Sequence, residues 1–202
     1  MILDSAVAYR DRLATRRTVW DFSDSPIDPA AIEACVLAAG SAPIGANHQP
    51  WHFACVIDPD IKPAIREAAE AEEQAFYGGR AGDIWLNNLK KISSNASKPF
   101  LETAPWLIAV FAKRYGINEK RPRQKHFSVP KSVGIATGFL NNALHQLGIA
   151  ALTHTPNPMK FLNQILERPG NERPYTLLVV GHPAQTAMVP RAATVKKNLE
   201  QI

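Results

Sequence analysis

The chain has 202 residues, 46% of them hydrophobic and 20% charged, the balance of one globular domain long enough to bury its own core. No run approaches the ~18 apolar residues of a membrane span, the charged Met1–Arg17 stretch has no signal-peptide centre, and Cys35 and Cys55, both in apolar surroundings, read as buried thiols of a reducing cytosol. The formal charge of +5 is a mild excess of 23 basic over 18 acidic residues, and the densest basic run, Lys113–Lys125, lacks the aromatic platform of a nucleic-acid surface and reads as a solvated loop.

In chain order, Ala6, Val7, Tyr9, Arg10 and Leu13 at near-helical spacing predict a helix over 4–15, stopped at the cationic Arg16-Arg17-Thr18-Val19-Trp20. Asp28 as N-cap with Pro29 in the first turn opens a helix through Ala39, and Gly40 ends it. The small and turn residues of 41–50 make a tight loop that runs into a strand, Trp51–Ile57. Asp58-Pro59 opens a helix to about Ala75 that carries Glu67, Glu70, Glu72 and Glu73. Residues 78–98, with Gly78-Gly79, a short amphipathic piece near Trp85–Ile92 and then Ser93-Ser94-Asn95, read as a mobile stretch. Strands follow at Trp106–Phe111, Ala150–Thr153 and Tyr175–Val180, with helices at Ser132–Leu147 and Met159–Leu166. The tail from Met188 has apolar anchors only late, at Leu199 and Ile202, and no core of its own. The elements do not alternate regularly and no glycine-rich loop follows the first strand, which argues for α+β and against a dinucleotide-binding fold.

The chemistry starts from what is missing. There is no Gly-x-Ser-x-Gly elbow and no His-Glu-x-x-His, and among histidines 48, 52, 126, 145, 154 and 182 only His48 and His52 are close, astride a proline; no metal site is expected. An enzyme with so few catalytic side chains leans on a cofactor. Arg16-Arg17-Thr18 offers two guanidinium forks and a hydroxyl, suited to a phosphate monoester. The loop Ala42–Trp51 joins a glycine turn, which lets backbone approach a flat ligand, to the amides of Asn47 and Gln49. Thr153-His154-Thr155-Pro156 closes a strand with two hydroxyls.

These pieces in this order resemble the nitroreductase family of flavin mononucleotide (FMN) proteins along nearly the whole chain. The likeness is carried by Arg16-Arg17-Thr18-Val19-Trp20-Asp21-Phe22 and the Pro43–Trp51 loop. Glu102-Thr103-Ala104-Pro105, Ser132–Gly138, Thr153–Pro156 and Arg168-Pro169-x-x-Glu172-Arg173-Pro174 are similar to the iodotyrosine deiodinase-like branch of that family. The resemblance implies a nitroreductase-like α+β fold, with a central, mostly antiparallel sheet flanked by helices, as a single domain over 1–202. It implies an intertwined homodimer with FMN at the subunit interface, a lid over about 72–93 and a C-terminal arm over about 186–202. Arg16, Arg17 and Thr18, with Lys196, would hold the phosphate. Pro43, Ile44, Gly45, Ala46 and Asn47 would lie along the flavin ring, with Trp20 at its N1/O2 edge. Thr153, His154 and Thr155 would face it from the other side, the Thr155 hydroxyl next to N5.

Glu73, Tyr77 and Lys98 stand at the branch's spacings for gripping an amino-acid zwitterion. Glu73 would pair with the ammonium and Lys98 with the carboxylate, Tyr77 would add a hydrogen bond or ring contact, and the Ala46 backbone would receive a phenolate. Glu73 and Tyr77, at i and i+4, share a helix face. The implied activity is that of a cytoplasmic FMN-dependent reductase, fed by NAD(P)H or a reductase, that dehalogenates a halotyrosine or related halophenol. The alternative is NAD(P)H-driven reduction of nitroaromatics or quinones, which needs no zwitterion clamp. Two departures favour a third reading, an aromatic amino-acid binder without turnover. Trp20 replaces the basic residue whose charge would stabilise reduced flavin, and Ile44 replaces a Ser hydroxyl.

Overall fold

The computed structural model describes residues 1–80, 82, 95–118 and 121–202. The short amphipathic piece expected near Trp85–Ile92, and with it most of the expected lid, lies outside them.

An unbroken apolar run has only one place in a two-sided sheet, the middle. Strand β2 (Trp106–Lys113) is buried along all but its last residue. It lies between β1 (Trp51–Val56) and β6 (Glu172–Gly181), and β5 (Ala150–His154) completes the order β1-β2-β6-β5. Every pairing is antiparallel, with Trp51 opposite Ala112, Trp106 opposite Val180 and Ala150 opposite Gly181. The period of two divides the strands between two cores. Leu107, Ala109, Phe111, Leu177 and Val179 face α3 (Ile61–Ala75) and α4 (Phe100–Thr103), which contribute Ile65, Ala69, Phe100 and Leu101. Trp106, Ile108, Leu178 and Val180 face α2 (Pro29–Gly40) and α5 (Val129–Gln146), which contribute Ile32, Cys35, Leu140 and Leu144. Three layers result, and the α+β architecture with its antiparallel sheet stands as the sequence implied.

Local chemistry explains most boundaries. Asp28 accepts from Ala30 N at 2.9 Å and caps α2 as expected. Helix α3 begins at Ile61 rather than Asp58, because the Asp58 carboxylate turns back on Asp60 N at 2.8 Å and closes a local turn first. Helix α5 begins three residues early, behind Ser128 in a left-handed conformation and with Pro130 in its first turn. Strand β6 reaches back to Glu172 by pairing Arg173 and Pro174 with Ala112 and Phe111.

Two expectations are corrected. The run Lys113–Lys125 is not a loop: β3 (Tyr115–Asn118) and β4 (Arg121–Lys125) form a separate hairpin. The Arg123 guanidinium lies 5.1 Å over the half-buried Tyr115 ring and the Lys125 ammonium 5.6 Å over the exposed Phe127 ring. Cys35 is buried, which pushes its thiol pKa up, but Cys55 is exposed on β1, an edge strand of the sheet. Among the described residues no helix is long and apolar enough to cross a membrane.

Helix α1 (Ile2–Ala14) buries none of its residues. It is held by Arg12, which donates to the carbonyls of His145 and Gln146 at the end of α5, and leaves Ile2, Leu3 and Val7 exposed. Ile135 and Phe139 on α5 are likewise exposed, as are Val195, Leu199 and Ile202 on the tail, where α6 (Phe161–Ile165) and β6 are followed by α7 (Arg191–Thr194).

Candidate active site

Where α1 stops, Arg16, Arg17 and Thr18 are half-buried. Arg17 folds back to donate to the Arg16 carbonyl at 2.8 Å, and among the described residues neither arginine pairs with a carboxylate. Both line a recess of about 190 Å³ together with His145 and the Gly148–Ala151 segment. Two guanidinium groups around a recess with no counter-charge make a site for an anion.

The loop before β1 is pinned by buried Ala42 at one end and buried Pro50 and Trp51 at the other, and most residues between them are exposed. Ile44 packs half-buried against that anchor, while Pro43, Gly45, Ala46 and Asn47 face outward. Gly45–Asn47 is a single 3-10 turn, and Ala46, Asn47 and Gln49 have φ of 56°, 49° and 46°. A left-handed conformation costs a non-glycine residue about 1–2 kcal/mol, so three in four positions is strain of the kind that accompanies a function. The Asn47 carboxamide oxygen accepts from Gln49 at 3.1 Å and ties the turn together. His48 lies against His126 with ring centroids 5.0 Å apart, whereas His52 faces Phe111, so the two histidines have separate neighbours.

Strand alternation splits the Thr153–Thr155 trio. Thr153 and Thr155 are exposed, and His154 points inward with 6% of its surface accessible. Its ring meets Phe100 edge-on at 5.8 Å, and among the described residues its Nε2 has no hydrogen-bond partner. Burial, helped by the nearby Lys98 charge, lowers its pKa to about 3.

The remaining candidates converge. Helix α3 carries Glu73 on its last turn and continues as a π-helical turn, Phe76–Arg80, which carries Tyr77. The Glu73 carboxylate lies 3.4 Å from the Lys98 ammonium, with side-chain exposures of 14% and 2%. That ammonium also donates to the Asn95 carbonyl, and lies 6.0 Å from the Tyr77 ring centroid and 5.9 Å from that of Trp20. Burial lowers the Lys98 pKa, and the carboxylates of Glu73 and Glu70 work against that shift. Trp20, Lys98 and Phe100 line a cavity of about 500 Å³ together with Met188, Val189 and Pro190. Residues 20, 73, 77 and 98 are thus one site.

Lys196 lies exposed on the tail and joins no ion pair among the described residues. Sequence reasoning missed two contributors. Glu70 accepts from the Lys98 main-chain N–H at 2.6 Å, and its spacing, three before Glu73 and four after Arg66, was the available signal. Phe100 walls the cavity, and nothing in its sequence context marks it.

A model described as the nitroreductase family matches residues 13–182. An iodotyrosine deiodinase of Haliscomenobacter hydrossis is 49% identical over 94% of this chain and 85% of its own length. That of Nematostella vectensis is 39% identical over 98% of this chain and 74% of its own length. A crystal structure of oxidised iodotyrosine deiodinase bound to FMN and 3-iodo-L-tyrosine superposes with a TM-score of 0.80 at 27% identity, covering 95% of this chain and 96% of that one.

Proposed function

The chain belongs to the nitroreductase family, and from that premise we propose that it is an FMN-dependent reductase that removes halogen from a halotyrosine bound as zwitterion and phenolate. The observation that carries this reading is the Glu73–Lys98 pair, whose ammonium lies within 6.0 Å of the Tyr77 and Trp20 ring centroids and whose lysine lines the cavity that Trp20 and Phe100 wall. A reductase of nitroarenes or quinones has no use for such a pair. The residues also suit the cofactor: Arg16 and Arg17, without a carboxylate partner among the described residues, at a recess for its phosphate, a strained loop offering backbone at Pro43–Asn47, and the outward hydroxyls of Thr153 and Thr155.

Bound FMN supplies the two electrons that, with one proton, replace the carbon–halogen bond by carbon–hydrogen and release halide. The chain's own residues select and hold the substrate. Glu73 takes the ammonium, Lys98 the carboxylate, and the Tyr77 ring lies alongside. Trp20 and Phe100 line the cavity and keep water from the aromatic ring, which strengthens each polar contact. The Ala46 amide would receive the phenolate oxygen, and the outward Thr155 hydroxyl would be available to hydrogen-bond the cofactor. The exposed apolar residues of α1, α5 and the tail suit a homodimer in which residues 186–202 embrace a second copy and carry Lys196 to the phosphate.

Two measurements test the reading. Titrated with FMN, the protein gives shifted flavin absorption bands at one FMN per chain, and under anaerobic dithionite it converts 3-iodo-L-tyrosine to tyrosine and iodide. Flavin binding without iodide release favours the non-catalytic alternative. Trp20→Arg tests the missing cation. It raises the midpoint potential of bound FMN by tens of millivolts, since ~1.4 kcal/mol of charge stabilisation corresponds to roughly 30 mV for a two-electron couple. An unchanged potential by spectroelectrochemistry would remove Trp20 from the flavin's N1/O2 edge.

A further inference from the structure

Lys98 is held at two different atoms by two carboxylates of one helix. Its ammonium meets Glu73, and its main-chain N–H donates to Glu70 Oε1 at 2.6 Å. Glu70 and Glu73 are three residues apart on α3 and share a face, so the helix fixes the spacing of the two attachments. Glu70 is itself fixed. Arg66, one turn earlier, donates Nε to the same Oε1 at 2.8 Å and Nη1 to Glu102 Oε1 on α4 at 3.3 Å. Burial works to raise the Glu70 pKa, but the Lys98 amide and the Arg66 guanidinium outweigh it and bring it below the usual carboxylate value, which keeps the acceptor ionised.

From this arrangement we infer that Glu70 is a positioning residue for the amino-acid clamp: by holding the backbone at Lys98 it sets the distance between the Lys98 ammonium and Glu73, and so confers preference for an α-amino-acid zwitterion over an uncharged halophenol. The inference rests on the function proposed above. Its physical basis is geometric. A zwitterion presents its two charges at a fixed separation, and only a clamp of matching separation grips both ends. The Lys98 ammonium is oriented by Glu73 and the Asn95 carbonyl, and the anchored amide fixes the backbone position from which the side chain reaches them. A purely structural role for Arg66, Glu70 and Glu102, tying α3 to α4, would affect all ligands alike.

The test uses FMN-loaded enzyme, with 3-iodo-L-tyrosine and 2-iodophenol as probes and equilibrium titration of flavin absorbance as the readout beside turnover. Glu70→Leu and Glu70→Met keep volume and helix propensity but offer no acceptor, so failure of one to fold leaves the other to decide. Each is expected to weaken 3-iodo-L-tyrosine binding at least tenfold while FMN affinity and the binding and turnover of 2-iodophenol stay within twofold. Glu70→Gln, which keeps an oxygen for the amide, restores zwitterion binding to within about threefold of the unsubstituted enzyme. Equal losses for both probes, or no loss for the amino acid, overturn the inference while leaving the proposed function standing. If the unsubstituted enzyme does not bind 3-iodo-L-tyrosine at all, both fall.

Discussion

Glu73→Gln weakens 3-iodo-L-tyrosine binding about 100-fold and leaves 2-iodophenol within a factor of two. Truncating one partner of a buried charge pair costs about 2–5 kcal/mol, and 100-fold is about 2.7 kcal/mol. Glu73 belongs in that class because the Lys98 side chain is 2% exposed and its own 14%. The neutral amide keeps the shape of the carboxylate and still accepts a hydrogen bond, so what disappears is the charge. Lys98 is then left with burial lowering its pKa and its nearest opposing carboxylate gone. A flavin-absorbance titration with both ligands checks this. Equal losses would make Glu73 a prop for the fold rather than the group that receives the ammonium.

The second large effect is on stability. In the folded chain the His154 pKa is lowered to about 3 from an ordinary 6.5, so between these values the unfolded chain binds the extra proton and folding loses free energy as pH falls. The contribution is fully present above pH 6.5, declines by about 1.4 kcal/mol per pH unit below it, and is exhausted near pH 3. Between pH 7 and 4.5 the loss amounts to about 2.5 kcal/mol. His154→Leu removes that slope and the unpartnered Nε2 with it, while Thr153 and Thr155 keep their outward hydroxyls. Urea unfolding at saturating FMN across this range should show the variant gaining on the unsubstituted chain as the solution is acidified. Parallel curves would mean that the imidazole is solvated and the inward orientation wrong.

Much of the sheet could be read from the chain because burial on two faces leaves an uninterrupted apolar run, as in Trp106–Ala112, and caps such as Asp28-Pro29 act through neighbours in sequence. The hairpin at Tyr115–Lys125 could not. Its strands are short, polar and mostly exposed, with Arg123 lying over the Tyr115 ring, so no alternation of apolar and polar residues marks them. The clamp divides in the same way. Glu73 and Tyr77 share a helix face, and their relation is local. Lys98 was legible only through the spacing of the resembled branch, since it reaches Glu73 from just before α4, and the approach of Trp20 from the far end of the chain is tertiary packing that local periodicity does not encode. The inward turn of His154 follows from strand alternation. A reading that treated Thr153-His154-Thr155 as one unit overlooked that consecutive side chains oppose each other.

One consequence concerns ligands that match only half of the clamp. Glu73 and Lys98 satisfy each other before any ligand arrives, so a zwitterion enters by partner exchange, trading one neutral pair for two. A halogenated phenol with a carboxylate but no amine would draw Lys98 away and strand a buried anion, and a halogenated tyramine would strand a buried cation. Either outcome costs several kcal/mol, whereas a phenol without charge leaves the pair intact. The order of preference is therefore not monotonic in resemblance to the amino acid: a singly charged analogue ranks below an uncharged one, and the self-neutralised pair discriminates by what it refuses to release.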